Sequence, residues 1–130
     1  MIDESLRERV LSDGTIAGII VDRFTPMKMS DNPVFPAVVY QRISSIREQN
    51  ISDGRVYYCN AIYQLDIYSP SFDTTKDLAA KIFARLEGFR GTVLGVDIQG
   101  ILSQNEIDLY EEDVRLFRRS QQYRVIFIET

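Results

Sequence analysis

Apolar residues recur along the chain at spacings of four and of two, and each spacing predicts a kind of element. Ile2, Leu6 and Val10 lie four apart, so they share one face of a short helix over Asp3 to Leu11. Asp3 and Glu4 fall in its first turn, where the helix dipole favours acids, and Ser12-Asp13-Gly14 ends it. Thr15 is placed to cap a second short turn running through Ile20. Asp22 to Thr25 reads as a short strand. Pro26 to Pro36, with Met27, Met29, Asp31, Asn32 and Pro33, has no period and reads as a long loop.

Alternation takes over next. Pro36 to Ser44 predicts a strand that starts at a proline, where the missing N–H is tolerated. Arg47 to Gly54 is polar and ends in the turn signal Asp53-Gly54. Arg55 to Ser69 alternates most clearly. Tyr57, Cys59, Ala61, Tyr63, Leu65 and Ile67 lie on one side, with Val56, Tyr58, Asn60, Ile62, Gln64 and Asp66 on the other. That pattern predicts one core face and one partly wet face. Ser69-Pro70-Ser71 breaks the strand, and Asp73 is the expected N-cap of a helix to Glu87. Leu78, Ile82 and Leu86 form that helix's buried stripe, flanked by Ala79 and Phe83, and Gly88 closes it. Gly91 and Gly95 bracket a turn. Val96 to Gln104 predicts a strand with Val96, Ile98, Gly100 and Leu102 on one face. Asp108 to Asp113 reads as an acidic connection and Val114 to Glu129 as the last strand. The apolar side of that strand, with Phe117, Tyr123, Val125 and Phe127, also carries Arg119 and Gln121. Either the strand overhangs the sheet or a partner covers it.

The order helix, hairpin, helix, hairpin predicts an α+β fold. Its sheet is mainly antiparallel, built from two long hairpins, with the helices packed on one face. Without repeats or a linker, the 130 residues make a single domain, 1–130.

Composition narrows the chemistry. The chain has no histidine, no tryptophan and one cysteine, Cys59. That removes a Ser-His-Asp triad, a histidine base, a disulfide within the chain and a cysteine-rich zinc site. In an extended apolar stretch, Cys59 is expected as a small buried hydrophobe. The net charge of −4 and pI of about 4.8 do not suit a nucleic-acid binder, which needs a basic surface. The charged start Met1-Ile2-Asp3-Glu4 lacks the pattern of a signal peptide. The longest apolar stretch, Ile16 to Val21, is far too short for a bilayer. The expected setting is a reducing cytoplasm, with no membrane partner.

No phosphate-cradling glycine motif is present, and Lys28, Lys76 and Lys81 have no activating neighbours in the pattern. Glu106, Asp108, Glu111, Glu112 and Asp113 form an acidic cluster, followed by Arg115, Arg118, Arg119 and Arg124. The acids can be oxygen ligands for a hard cation or a solvated hairpin tip. The segregated signs can pair within the hairpin, or they can be two complementary patches that meet between neighbouring copies. A strand with tyrosines on both faces is not expected to bury all of Tyr57, Tyr58, Tyr63, Tyr68 and Tyr110; those at the surface read either as cross-strand packing or as an interface.

The assembled pattern resembles the tail completion family of tailed bacteriophages. The resemblance is carried in order by Asp22-Arg23-Phe24, by Asn32-Pro33-Val34-Phe35-Pro36 through Ser44, and by Tyr63-Gln64-Leu65-Asp66-Ile67-Tyr68-Ser69. The segments Leu86-Glu87-Gly88-Phe89-Arg90-Gly91, Asp108-Leu109-Tyr110-Glu111 and Leu116 through Val125 complete it, so it covers nearly the whole chain. It implies a virion structural protein, a tail terminator that forms a hexameric ring. Such a ring caps the head-proximal end of the tail tube, ends tube polymerisation and offers a surface for head-to-tail joining. The implied partners are further copies of the chain, the major tail tube protein and a head–tail connector or stopper, with DNA only passing through the lumen. The implied location is the neck of the virion, with assembly in the host cytoplasm.

The family brings no catalytic residue, cofactor or metal, and the chain is expected not to be an enzyme. The expected contact residues come from the residues themselves: Arg47, Glu48, Glu111, Glu112, Asp113, Arg115, Arg118 and Arg119. Two other readings stay open: a head-completion or neck connector protein of the same virion, and a small metal-dependent enzyme using Glu106, Asp108 and Asp113.

Overall fold

A six-stranded sheet in the order β1-β2-β3-β6-β5-β4 organises the molecule. The computed structural model describes residues 2–29, 31–49 and 57–129. In chain order the elements are α1 (Ile2–Leu11), α2 (Gly14–Ile20), β1 (Phe24–Pro26), β2 (Ala37–Gln49) and β3 (Tyr57–Ser69). They continue with α3 (Phe72–Leu86), β4 (Gly91–Val93), β5 (Val96–Glu111) and β6 (Leu116–Glu129). The expected start of β3 at Arg55, and the Asp53-Gly54 turn, lie outside the described residues.

The sheet is mixed. β1 runs parallel to β2, with Phe24 opposite Val38, and the other four neighbouring pairs are antiparallel. The expectation of a sheet made of two hairpins therefore needs correction at both flanks. β1 is the short strand expected at Asp22 to Thr25, shifted to Phe24–Pro26 and parallel to its neighbour, whereas β4 takes up part of the segment read as a glycine-bracketed turn, three residues being too few to show a period. A turn at residues 112–115 joins β5 to β6. The connection between β2 and β3 lies outside the described residues.

The alternation in β3 carries the core. Cys59, Ala61, Tyr63, Leu65 and Ile67 are buried, and they continue through Tyr123, Val125 and Phe127 on β6. The helices cover this face: Leu6 and Val10 of α1, Ile16 and Ile20 of α2, and Leu78, Ile82 and Leu86 of α3 complete the cluster. Polar side chains lock the helices in place. Tyr63 Oη donates to Asp3 of α1 and accepts from Arg42 Nε at 3.0 Å. Arg9 Nε donates to the Arg85 carbonyl at 3.2 Å, and Arg85 Nε donates back to the Arg9 carbonyl at 2.8 Å. Each cation thus satisfies a carbonyl in the last turn of the other helix, where helices lack internal donors.

Local details differ from the sequence expectations for identifiable reasons. Asp13, not Thr15, caps α2, accepting from the Thr15 and Ile16 N–H groups at 2.9 and 3.3 Å. Ser71, not Asp73, caps α3, accepting from the Thr74 N–H at 3.3 Å; Asp73 sits in the first turn. Helix α3 ends at Leu86, and Gly88 follows in the left-handed region at φ +75°. Phe83 is 44% exposed rather than core. In β5 a bulge lies between Ile98 and Gly100. The extra residue shifts the alternation, so Ile98 and Ile101 face the core and Leu102 turns outward.

The largest correction concerns the acidic segment. Asp108 to Glu111 is not a connection but the second half of β5, paired through Asp108 opposite Arg119 and Glu111 opposite Leu116. The polar residues on β6 are explained by the same ladder. Gln121 is buried, and its Nε2 donates to the Ala79 carbonyl of α3 at 3.1 Å and to Glu106 Oε2 at 2.8 Å.

Candidate interaction surface

The second half of β5 and the facing part of β6 form a charged arm. Arg119 grips Asp108 with two donors, Nε to Oδ1 at 2.6 Å and Nη2 to Oδ2 at 2.9 Å, and its Nη1 lies 3.6 Å from Glu106 Oε1. Such a fork fits a carboxylate plane and holds both side chains on the helix face. The hydrogen bond from Arg119 holds the Asp108 carboxyl below the usual carboxylate range. Its neighbour Arg118 points to the other face. There Nη1 donates to Glu111 Oε1 at 2.9 Å, and Nε lies 3.3 Å from the buried Asp66, an ion-pair distance without hydrogen-bond geometry. Glu112, Asp113 and Arg115 occupy the exposed turn, with Arg115 at φ +55°.

The other two expected contact residues lie elsewhere. Arg47 and Glu48 belong to β2 rather than to a loop. Arg47 Nε donates to Glu129 Oε1 at 2.8 Å on the helix face, and Glu48 stands opposite Tyr58 on the outer face. The structure therefore does not gather the eight residues into one patch. Following the register from Arg47 through Cys59 and Phe127 leads to Ile98, at the β4 end of the sheet. The charged arm lies at the β1 end, across the diagonal.

The acids of the arm do not converge as a ligand set. Among the described residues no three acidic or cysteine side chains are grouped so as to hold a metal ion. Glu106 and Asp108 instead share one arginine. Among the described residues no helix is long and apolar enough to cross a membrane.

Two features escaped the sequence because they are properties of pairing. The first is the pair of open strand edges. β1 covers the outer side of β2 only as far as Tyr40, whose carbonyl accepts from the Met27 N–H at 2.9 Å. On the opposite side, the Gly88 N–H donates to the Ile101 carbonyl at 2.8 Å and the Glu87 carboxylate accepts from the Ser103 N–H at 2.5 Å. Beyond these points neither β2 nor β5 has an outer neighbour among the described residues. The second feature is a set of apolar side chains on the sheet face away from the helices, in two groups: Ile46 (64% exposed) with Tyr58 near the free part of β2, and Ile107 (49%) and Leu109 (42%) with Leu102 along β5. Scattered exposed apolar residues are ordinary; a set sharing one sheet face beside two open edges suits a contact surface.

A family model described as tail completion protein gp17 matches residues 4–128. The chain belongs to that family. The gp17-type tail completion fold is shared with a chain from the virion of a native gene transfer agent particle. That chain is 13% identical, superposes with a TM-score of 0.70, and is matched over 97% of this chain and 93% of its own length. A second solved chain, 15% identical with a TM-score of 0.56, is matched over 95% and 92% respectively. At these identities the likeness is one of fold. No curated protein matches in sequence. A tail completion protein is a structural component of the bacteriophage virion, which agrees with a surface made of paired charges and open edges.

Proposed function

We propose that this tail completion protein is the tail terminator: a single-domain subunit of a hexameric ring that caps the head-proximal end of the tail tube. The ring ends tube growth and presents its other surface to the head connector. The observation that carries the reading is the family match over nearly the whole chain, combined with two unlike charged corners on one subunit. A head-to-tail ring needs two different, matching surfaces on each copy, whereas a two-fold dimer needs one self-matching surface. Arg47 and Glu48 at one corner, with Glu111, Glu112, Asp113, Arg115, Arg118 and Arg119 at the other, are the contact residues of this reading. Its partners are further copies of the chain, the tail tube protein and the connector, with DNA passing through the lumen. Its setting is the virion neck, after assembly in the host cytoplasm.

The test is to add the purified chain to polymerising tail tube protein and image the products by negative stain. The expected result is tubes of arrested length with a ring at one end, and hexamers by native mass spectrometry. Tubes that grow unchanged with no ring at either end would overturn it. Binding to filled heads but not to tubes would reassign the chain to the neck connector role.

A further inference from the structure

The open edges of β2 and β5 match each other in direction, facing and charge. β2 is antiparallel to β3, β3 to β6 and β6 to β5, so β2 and β5 run in opposite directions. Copies set side by side without inversion therefore bring the β2 of one antiparallel to the β5 of the next.

The backbone groups also correspond. In an antiparallel ladder, alternate residues point their N–H and C=O groups to opposite sides. The Ile101 carbonyl and Ser103 N–H point away from β6, since both meet the end of α3. A bulge follows between Ser103 and Asn105. Carrying the alternation through β6, Gln122, Ser120 and Arg118 face β5, opposite Asn105, Ile107 and Leu109. Glu106 and Asp108 therefore direct their backbone groups to the open edge. On β2, the Val38 N–H and Tyr40 carbonyl point outward to the β1 segment. Through β3, and past the bulge between Arg42 and Ser44, Ser45 and Arg47 point outward as well. All four outward residues carry their side chains on the helix face, opposite Ala61, Cys59, Gln121 and Arg119.

We propose that neighbouring copies join by antiparallel strand pairing of residues 43–48 of one with residues 105–110 of the next, with Arg47 opposite Glu106 and Ile46 opposite Ile107. The inference rests on the ring reading above and specifies its seam. In this register Ser45 faces Asp108, so the cation of one edge meets the acids of the other on the helix face. The exposed isoleucines cover each other on the outer face. Glu106 and Arg47 are each about half exposed. A guanidinium has five donors, enough to hold Glu129 and a second acid.

Charge selects this arrangement over self-pairing. Two copies joined β5 to β5 would set Glu106 and Asp108 against each other, and like charges directly opposite destabilise a ladder. The open edges, themselves a hazard in a monomer, are thus kept for one partner. The covered parts do not obstruct the seam. Within one copy Ile107 lies level with Val39, so meeting Ile46 slides neighbours by about six residues, or about 20 Å along the strands. That shift carries β1 and β4 beyond the two ends of the contact.

The test uses the full chain with Ile46→Cys and Ile107→Cys together, oxidised under assembly conditions with and without tail tubes. The native Cys59 is buried. The expected result is a ladder of disulfide-linked oligomers ending at the closed ring, whereas Ile107→Cys alone stays uncrosslinked. In parallel, Arg47→Glu is expected to weaken assembly about fivefold per contact, and combining it with Glu106→Arg to restore much of that loss. Rings that form without any crosslink would overturn the seam and leave the ring reading standing. A stronger ladder from Ile46→Cys with Leu109→Cys would overturn the register. Dimers from Ile107→Cys alone would overturn the head-to-tail pairing. Absence of association under every condition would overturn both the seam and the ring.

Discussion

Leu86→Ala probes how the helices are held on the sheet. Leu86 is 1% exposed at the end of α3. It lines, with Leu6, Val10, Tyr63, Leu65 and Val125 among others, an interior space of about 10 Å³. Shortening leucine to alanine loses roughly 2 kcal/mol of transfer free energy, at about 0.8 kcal/mol per buried methylene-sized group. It also leaves a cavity, costing about 24 cal/mol for each Å³ that the surroundings fail to fill. The walls here come from two helices and four strands, and they already leave a small space unfilled. Little collapse is expected, and about 60 Å³ of residual cavity adds about 1.5 kcal/mol. The sum, about 3.5 kcal/mol, is a large part of the stability of a typical domain. Urea unfolding followed by circular dichroism reads it as a midpoint lowered by about 2 M, for a slope of about 1.75 kcal/mol/M. Phe83→Ala is the control: it lies three residues earlier on the same helix but is 44% exposed, and it is expected to cost about 1 kcal/mol or less. A Leu86→Ala loss below about 1 kcal/mol, or equal losses for the two variants, would refute the placement of the core.

Two further predictions follow from local chemistry. Ser71→Ala removes the acceptor for the Thr74 N–H and should cost about 1 kcal/mol, measurable by the same unfolding assay, whereas Ser71→Asp should retain most of the stability. Burial first, with Asp3 adding for Tyr63, holds the Tyr63 and Tyr123 hydroxyls protonated well above the ordinary tyrosine range. The unfolded chain gives up those protons near pH 10, so the contribution is intact below that and stability falls as pH rises beyond it. Ultraviolet titration should show two tyrosines ionising only as the circular dichroism signal collapses. Free titration of both in the folded state would contradict the packing.

The parts of the fold legible in the sequence are those where burial imposes a period. The alternation of Cys59 to Ile67 and the stripe Leu78, Ile82 and Leu86 place β3 and α3, since one face of each is filled by the core. The second half of β5 was illegible for the opposite reason. Its residues are exposed, and the segment is held by the ladder to β6 and the Asp108–Arg119 fork, so its charges read locally as a connection. Ser71 and Asp73 are both capping residue types two positions apart, and only the backbone decides between them. Glu106, Asp108, Arg118 and Arg119 could be named as a charged constellation from sequence. Their separation onto two faces, and the distance of Arg47 from them, follow from strand register. The open edges are set by where β1 and the end of α3 stop covering their neighbours.

The central ladder has a mechanical consequence. β3 and β6 stay in unbroken antiparallel register over all 13 residues of β3, from Tyr57 opposite Glu129 to Ser69 opposite Phe117, whereas the flanking ladders of β2 and β5 each contain bulges. Tension applied along the strands loads that ladder in shear, so its hydrogen bonds share the force and must yield together. Tension across the strands would peel them one after another. In a virion tail, the middle of the subunit is therefore the stiff member. Bending is taken up at its bulged margins, beside the edges where neighbours would meet.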